Sequence, residues 1–360
     1  MEWFSLVKNM SNTENMKVRL CIVGPMLGRN EGWVTTQGEI LADHFREIGY
    51  QVLETSQIVN RYKRLMDIIY SLIRWRNQYD LAIINVFSGP AFIVADISSY
   101  LLKVLKKPFI VVLHGGNLPN FSSSRQKWVK RVLKRAHRIV SPSRYLSRFC
   151  ESMDLDVTII PNTIKLENYI FRERSSINPK LLWMRTFHEI YNPEMAVEVI
   201  ERLKNTIPDI HLTMAGQEKG RLEFVQRLVR EKGLGKQISF IGFLNMQDKR
   251  KVFNNHDIYL NTTRIDNTPV SVIEAAAFGL PIISTNVGGI PDLLTENETA
   301  LLVDNEDVEG MVQAIQLLLR NPGLAEKLSN NGKKIAEACS WKNILIQWEN
   351  LFFDIKKSAQ

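Results

Sequence analysis

The stretch 266–284, DNTPVSVIEAAAFGLPIIS, constrains this chain more than any other. Asp266 and Asn267 favour a loop, Thr268 is a good N-cap, and Pro269 suits a first helical position. The Ala-rich run 270–278 then reads as a helix stopped by Gly279 and Pro281, with a short buried strand expected after it. Two carboxylates thereby flank the start of one helix. Asp266 lies in the loop before it and Glu274 about five residues inside, roughly 7–8 Å along the axis. Between them are free backbone N–H groups and the positive end of the helix dipole, a setting suited to phosphate or sugar hydroxyls. The separation is comparable to the span of a diphosphate. One carboxylate is therefore placed to hold the hydroxyls of a sugar and the other those of a ribose.

A chain of 360 residues exceeds the usual single-core limit, so two domains are expected. The first half alternates short apolar strands (18–23, 81–86, 109–113, 139–140, 157–160) with helical segments, one of them around 37–48. A second alternating series has strands at 181–185, 210–215, 238–241, 258–260 and 281–284. This alternation is the pattern of α/β domains with parallel sheets covered on both faces. The expected division is an extension over 1–16, with Trp3, Phe4, Leu6 and Val7 able to form one amphipathic turn, then domains over 17–170 and 171–340. The polar stretch 165–180 links them. A last helix within 341–360 is apolar on one face.

Cys21, Cys150 and Cys339 are scattered without metal-binding spacing, as small core residues of a reducing compartment are. No apolar run reaches the ~18 residues of a membrane-spanning helix, and the amino terminus lacks the order of a signal peptide, so a cytoplasmic location is expected. Charge is uneven. Residues 1–170 hold 23 Lys and Arg against 14 Asp and Glu, while the remainder is nearly balanced. The stretches 61–76 and 125–138 both read as basic amphipathic helices, so an anionic membrane surface, on its inner face, is a candidate partner of the first domain. Asp154 and Asp156 read as turn residues before a strand rather than as metal ligands.

The 266–284 segment resembles the retaining, nucleotide-sugar-dependent glycosyltransferases of family 4. Gly279, Leu280 and Pro281, and the later run NVGGIPD at 286–292, match that family in order and spacing. The resemblance implies the GT-B fold, two Rossmann-like doubly wound domains facing a central cleft, with the final helix returning to the first domain. It assigns Asp266 to the donor sugar and Glu274 to the ribose, although the family usually has Glu at the first position. It puts Arg185 on the donor diphosphate. The family's lysine, five residues on, is replaced here by Ile190, and Arg264 at the lip of the Asp266 loop is the candidate substitute. Asn267, Thr268, Pro269, Val270 and Ser271 line the donor side. Gly32 matches one of a loop glycine pair, and Trp33 stands in place of the second, where it can face an acceptor.

His114, in the sequence HGG, matches a histidine beside the transferred sugar. Asn117 and Asn162 follow strands on the acceptor side. Gly216, and Gly242 with Phe243 and Leu244, match nucleotide-side loops. The function so implied is transfer of a sugar from a nucleotide diphosphate to a hydroxyl of a saccharide or lipid-linked acceptor, with no metal or other cofactor. An epimerase or phosphorylase of the same shape is the rival among enzymes. From another class, a polyanion- or membrane-binding module would use the basic half and have no use for Asp266 or Glu274. No nucleic-acid-binding motif is present.

Overall fold

The computed structural model describes residues 18–358, so the expected extension and its amphipathic turn lie outside the described residues. The chain builds two six-stranded sheets, each wholly parallel. The first contains β1 (Leu20–Pro25), β2 (Val52–Ser56), β3 (Leu81–Val86), β4 (Phe109–Leu113), β5 (Arg138–Ser141) and β6 (Thr158–Ile159), in the order β2-β1-β3-β4-β5-β6. The second contains β7 (Lys180–Met184), β8 (His211–Ala215), β9 (Ile238–Gly242), β10 (Ile258–Asn261), β11 (Ile282–Thr285) and β12 (Leu301–Val303), in the order β12-β11-β10-β7-β8-β9. In both orders the chain winds outward from one strand in two directions, and the cleft lies where the carboxyl ends of the strands meet.

The apolar runs become strands buried on both faces. All six residues of β3 and all five of β4 are buried. On one side of the first sheet pack the helices Arg61–Arg74, Phe92–Val104, Gln126–Leu133 and Arg144–Glu151, through Ile68, Leu72, Phe92, Val129, Val132 and Leu146 among others. The expected basic helix over 125–138 ends earlier than that, because Arg138 already pairs in β5 with Ile110. The opposite side is covered by helix Gln37–Glu47 and by helix Trp341–Ser358, the last in the chain. That helix returns from the second sheet and buries Ile344, Trp348, Leu351, Phe352 and Ile355 against residues of β1, β3 and Phe45. Phe45 contacts the rings of Trp341, Trp348 and Phe352.

The second sheet has helix Pro193–Leu203 on one face, with Leu222–Glu231 and Val308–Arg320, and helix Val270–Ala277 on the other. The stretch 165–180 is not a loose polar connection. Arg174 is buried to 1% exposure, and its guanidinium donates to the carbonyls of Arg172, Phe278, Phe253 and His256. Burial depresses its pKa to about 9, and four carbonyl partners compensate the desolvated cation.

Candidate active site

Helix Val270–Ala277 starts one residue later than the sequence pattern indicates. Pro269 is its N-cap, and Thr268 spends its hydroxyl on the carbonyl of Pro142, across the cleft, rather than on the helix. The preceding Asp266-Asn267 loop is held by backbone approaches that only glycine permits. Gly289 N–H donates to Asp266 O at 3.0 Å. A Cβ on Gly288 or Gly289 would collide with the carbonyl oxygens of Asp266 and Asn267 respectively. From the first sheet, a Cβ on Gly116 would lie 2.8 Å from the Asp266 carbonyl carbon. Three glycines thus let two separate segments close on this loop.

Arg185 follows β7 directly. Its guanidinium donates to Asp266 Oδ2 at 2.5 Å and to Ser271 Oγ at 3.0 Å, and stacks 4.0 Å over the ring of Tyr191. The side chains of Arg185 and Asp266 keep only 10% and 15% exposure. Burial works most strongly against the Arg185 charge, but the Asp266 carboxylate together with the phenols of Tyr191 and Tyr259 outweighs it and holds the pKa above the ordinary value. Gly216 is needed beside this strand end, because any Cβ there would strike the Arg185 carbonyl.

Glu274, 4% exposed, sits deeper along the same helix. Lys249 donates to both of its carboxylate oxygens, at 2.7 and 3.0 Å, and the Tyr169 hydroxyl donates to Oε1 at 2.9 Å. Burial first, and then the Glu274 charge, raise the Tyr169 pKa, so the phenol stays protonated and remains a donor. A buried carboxylate with a cation and a hydroxyl on it is fixed in direction.

The first sheet contributes His114 at the end of β4. Its Nε2 lies 2.7 Å from Asn85 Oδ1, while Asn85 Nδ2 donates to Val23 O at 3.3 Å. With the Asn85 amide so oriented, Nε2 carries the proton and Nδ1 is the free acceptor. The ring stacks on Phe87, and burial lowers its pKa to about 4.

Two family models match the chain in succession: "Glycosyltransferase Family 4" over residues 35–168 and "Glycosyl transferases group 1" over residues 170–335. The chain belongs to glycosyltransferase family 4. This family 4 chain is 30% identical over 154 residues to the 2-deoxystreptamine N-acetyl-D-glucosaminyltransferase of Niallia circulans, covering 41% of this chain and 39% of that protein. It is 24% identical over 232 residues to a sulfoquinovosyl transferase of Arabidopsis thaliana, covering 57% and 45%. The chain thus spans less than half of the length of such relatives. Its fold is shared with sucrose-phosphate synthase of Thermosynechococcus elongatus, at TM-score 0.78 and 16% identity over 95% of this chain and all of that one. It is shared too with HepE of Anabaena in complex with UDP-glucose, at TM-score 0.77 and 13% identity over 94% and 100%. Both likenesses establish the GT-B architecture of two Rossmann-like domains.

Several expected site residues of the family 4 chain have other partners. Arg264 turns away from Asp266. It pairs with Glu306 at 2.7 Å and donates to the Glu189 carbonyl at 2.5 Å, so no second cation joins Arg185 from that loop. Leu244 is buried in the core beneath the sheet, whereas Gly242 and Phe243 before it stay exposed. Asn162 donates to the Thr268 carbonyl at 2.8 Å, and Asn267 accepts from the Ser143 hydroxyl, so both fasten the Asp266 loop to the first sheet. Asn117 accepts from Asn120 on its own short helix. Gly32, at φ +77°, accepts from Gln217 across the cleft at 3.1 Å, and Lys219 lies 4.4 Å over the Trp33 ring.

Lys249, Tyr169, Tyr191 and Asn85 are not legible as site residues in the sequence. None lies in a recognisable motif. The one signal available was that a carboxylate as buried as Glu274 must have a cation near it.

Proposed function

We propose that the protein is a retaining glycosyltransferase that moves a sugar from a nucleoside diphosphate to a hydroxyl of a saccharide or lipid-linked acceptor, without a metal ion. The observation that carries the reading is the arrangement of Arg185, Asp266 and Ser271 at the start of helix Val270–Ala277, with Glu274 fixed on the same helix. UDP-glucose bound to HepE makes a nucleotide sugar the natural class of donor. In this reading Arg185 exchanges part of its contact with Asp266 for the donor diphosphate, and the freed Asp266 oxygen accepts from sugar hydroxyls. Glu274 accepts from the ribose hydroxyls. The bond from the anomeric carbon to the phosphate oxygen breaks, and the bond to the acceptor oxygen forms on the same face. The departing diphosphate takes the acceptor proton, while Arg185 and the helix N-terminus stabilise its charge.

His114 serves as a neutral acceptor through Nδ1, directed at a sugar hydroxyl, since a group with pKa about 4 carries no charge near neutrality. The nearby clasp of Asn162, Ser143 and Gly116 on the Asp266 loop limits water at the reacting carbon. The test is a transfer assay with the product read by proton NMR, in the presence and absence of a chelator. An α-configured donor should give an α-linked product at an unchanged rate. An inverted product, or activity lost to the chelator and restored by manganese, would overturn the mechanism.

A further inference from the structure

The face of the first sheet that carries helices Arg61–Arg74, Phe92–Val104 and Gln126–Leu133 has a surface that sugar transfer does not use. Lys103, Lys127, Lys130, Arg131, Lys134 and Arg135 line an open groove between the second and third of these helices. Two carboxylates answer the six cations. Asp96 takes Arg135 at 2.6 Å and Arg131 at 3.8 Å, and Asp154 takes Lys130 at 3.0 Å. Asp96 also accepts from Trp128 at 2.7 Å. Among the described residues, the ammonium groups of Lys103, Lys127 and Lys134 have no carboxylate or carbonyl partner.

Large apolar side chains stand exposed in this groove and on the neighbouring helix. Tyr100 and Val104 form part of the groove wall at 61% and 60% exposure, and Met66, on the helix packed alongside, is 65% exposed. Tyr62 and Tyr70 flank it in the same state. A face that is merely solvated has no need of such side chains beside unpaired cations, and duplex nucleic acid, bound through its phosphates, recruits chiefly the cations. An anionic bilayer uses both, with ammonium groups at the depth of the phosphates and Tyr, Met and Val at the boundary of headgroup and acyl chain.

We propose that this face docks the protein on an anionic lipid bilayer, with headgroup phosphate among Lys103, Lys127 and Lys134 and with Met66, Tyr100 and Val104 entering the interface. Residues 100–104 close the helix that runs from the carboxyl end of β3 back toward the start of β4, so docking there leaves the cleft open. The proposal does not rest on the sugar-transfer reading, and the two can fail separately.

Sedimentation with vesicles of phosphatidylglycerol and phosphatidylcholine tests it, with pure phosphatidylcholine as control. Wild-type protein should sediment with the anionic vesicles at low salt, and lose them at high salt and in the control. The combined change Lys103→Gln, Lys127→Gln, Lys134→Gln should lower partitioning roughly a hundredfold. Met66→Ser, Tyr100→Ser, Val104→Ser together should lower it about tenfold or more, with donor turnover unchanged in both variants. Charge reversal at Lys103 alone, Lys103→Glu, should act in the same direction if a triple variant fails to fold. Wild-type protein that ignores anionic vesicles would overturn the proposal, as would vesicle binding that neither triple variant changes. If the apolar variant binds as wild type while the lysine variant loses both vesicles and duplex DNA, the face is a polyanion surface and the bilayer proposal is wrong.

Discussion

Arg185 and Asp266 form an ion pair of 2.5 Å at the mouth of the cleft, joining the residue that follows β7 to the loop before helix Val270–Ala277. The cation assigned to the diphosphate and the carboxylate assigned to the sugar therefore neutralise each other. Arg185→Ala removes the cation proposed to neutralise the leaving group and also leaves Asp266 without its partner.

Loss of kcat/KM by at least a hundredfold, about 3 kcal/mol, is expected for Arg185→Ala in a donor-hydrolysis assay. Arg185→Lys should recover little, because one ammonium cannot hold Ser271 and Asp266 together in a planar fork. Arg264→Ala should change turnover less than about threefold, since its guanidinium is engaged by Glu306 and the Glu189 carbonyl. An Arg264→Ala loss equal to that of Arg185→Ala would show that both cations serve the diphosphate.

Glu274→Ala should weaken binding of a nucleoside diphosphate by about 1–3 kcal/mol in calorimetry, the range for losing a charge-assisted hydrogen bond. Lys249 is then left with 22% exposure and no carboxylate, so a lower melting temperature should accompany the loss. Unchanged affinity in the folded variant would remove Glu274 from the ribose role.

The depressed His114 pKa fixes a stability trend. The unfolded chain binds a proton at this imidazole below pH ~6.5, whereas the folded chain does so only near pH 4. Stability therefore falls as pH drops from about 6.5 to about 4, by at most about 3 kcal/mol, and gains nothing further from this group above 6.5. Melting curves of wild type and His114→Asn across that window should converge as pH falls. A wild-type activity profile with an inflection near pH 6.5 that His114→Asn abolishes would contradict a neutral His114 in the working enzyme.

Much of the architecture was legible because parallel strands buried on both faces are continuous apolar runs. LAIINV in β3 and FIVVL in β4 are bounded in the structure as in the sequence. The two strands not anticipated, β2 and β12, are sheet edges. Residues 52–54 of β2 are only half-buried and include Glu54, and β12 has three residues, so neither carries the signal of a central strand. The carboxylates Asp266 and Glu274 were legible because helix punctuation assigns them to one loop and the helix it opens. Lys249 and Tyr169 were not, since they meet Glu274 only through the folding of the second sheet. Arg264 was misplaced because proximity in sequence to Asp266 does not fix where a long side chain points, and Glu306, distant in sequence, is the nearer anion.

In the proposed reaction Arg185, Asp266 and Glu274 together hold a nucleotide sugar for transfer. The most direct test of that role is release of free nucleoside diphosphate from a panel of nucleotide sugars that includes UDP-glucose, by wild-type protein and by Asp266→Ala. Wild type should release nucleoside diphosphate from at least one donor, and Asp266→Ala should do so at least a hundredfold more slowly, about 3 kcal/mol. Release at the wild-type rate by Asp266→Ala, or no binding of any donor by folded wild-type protein, would contradict that role.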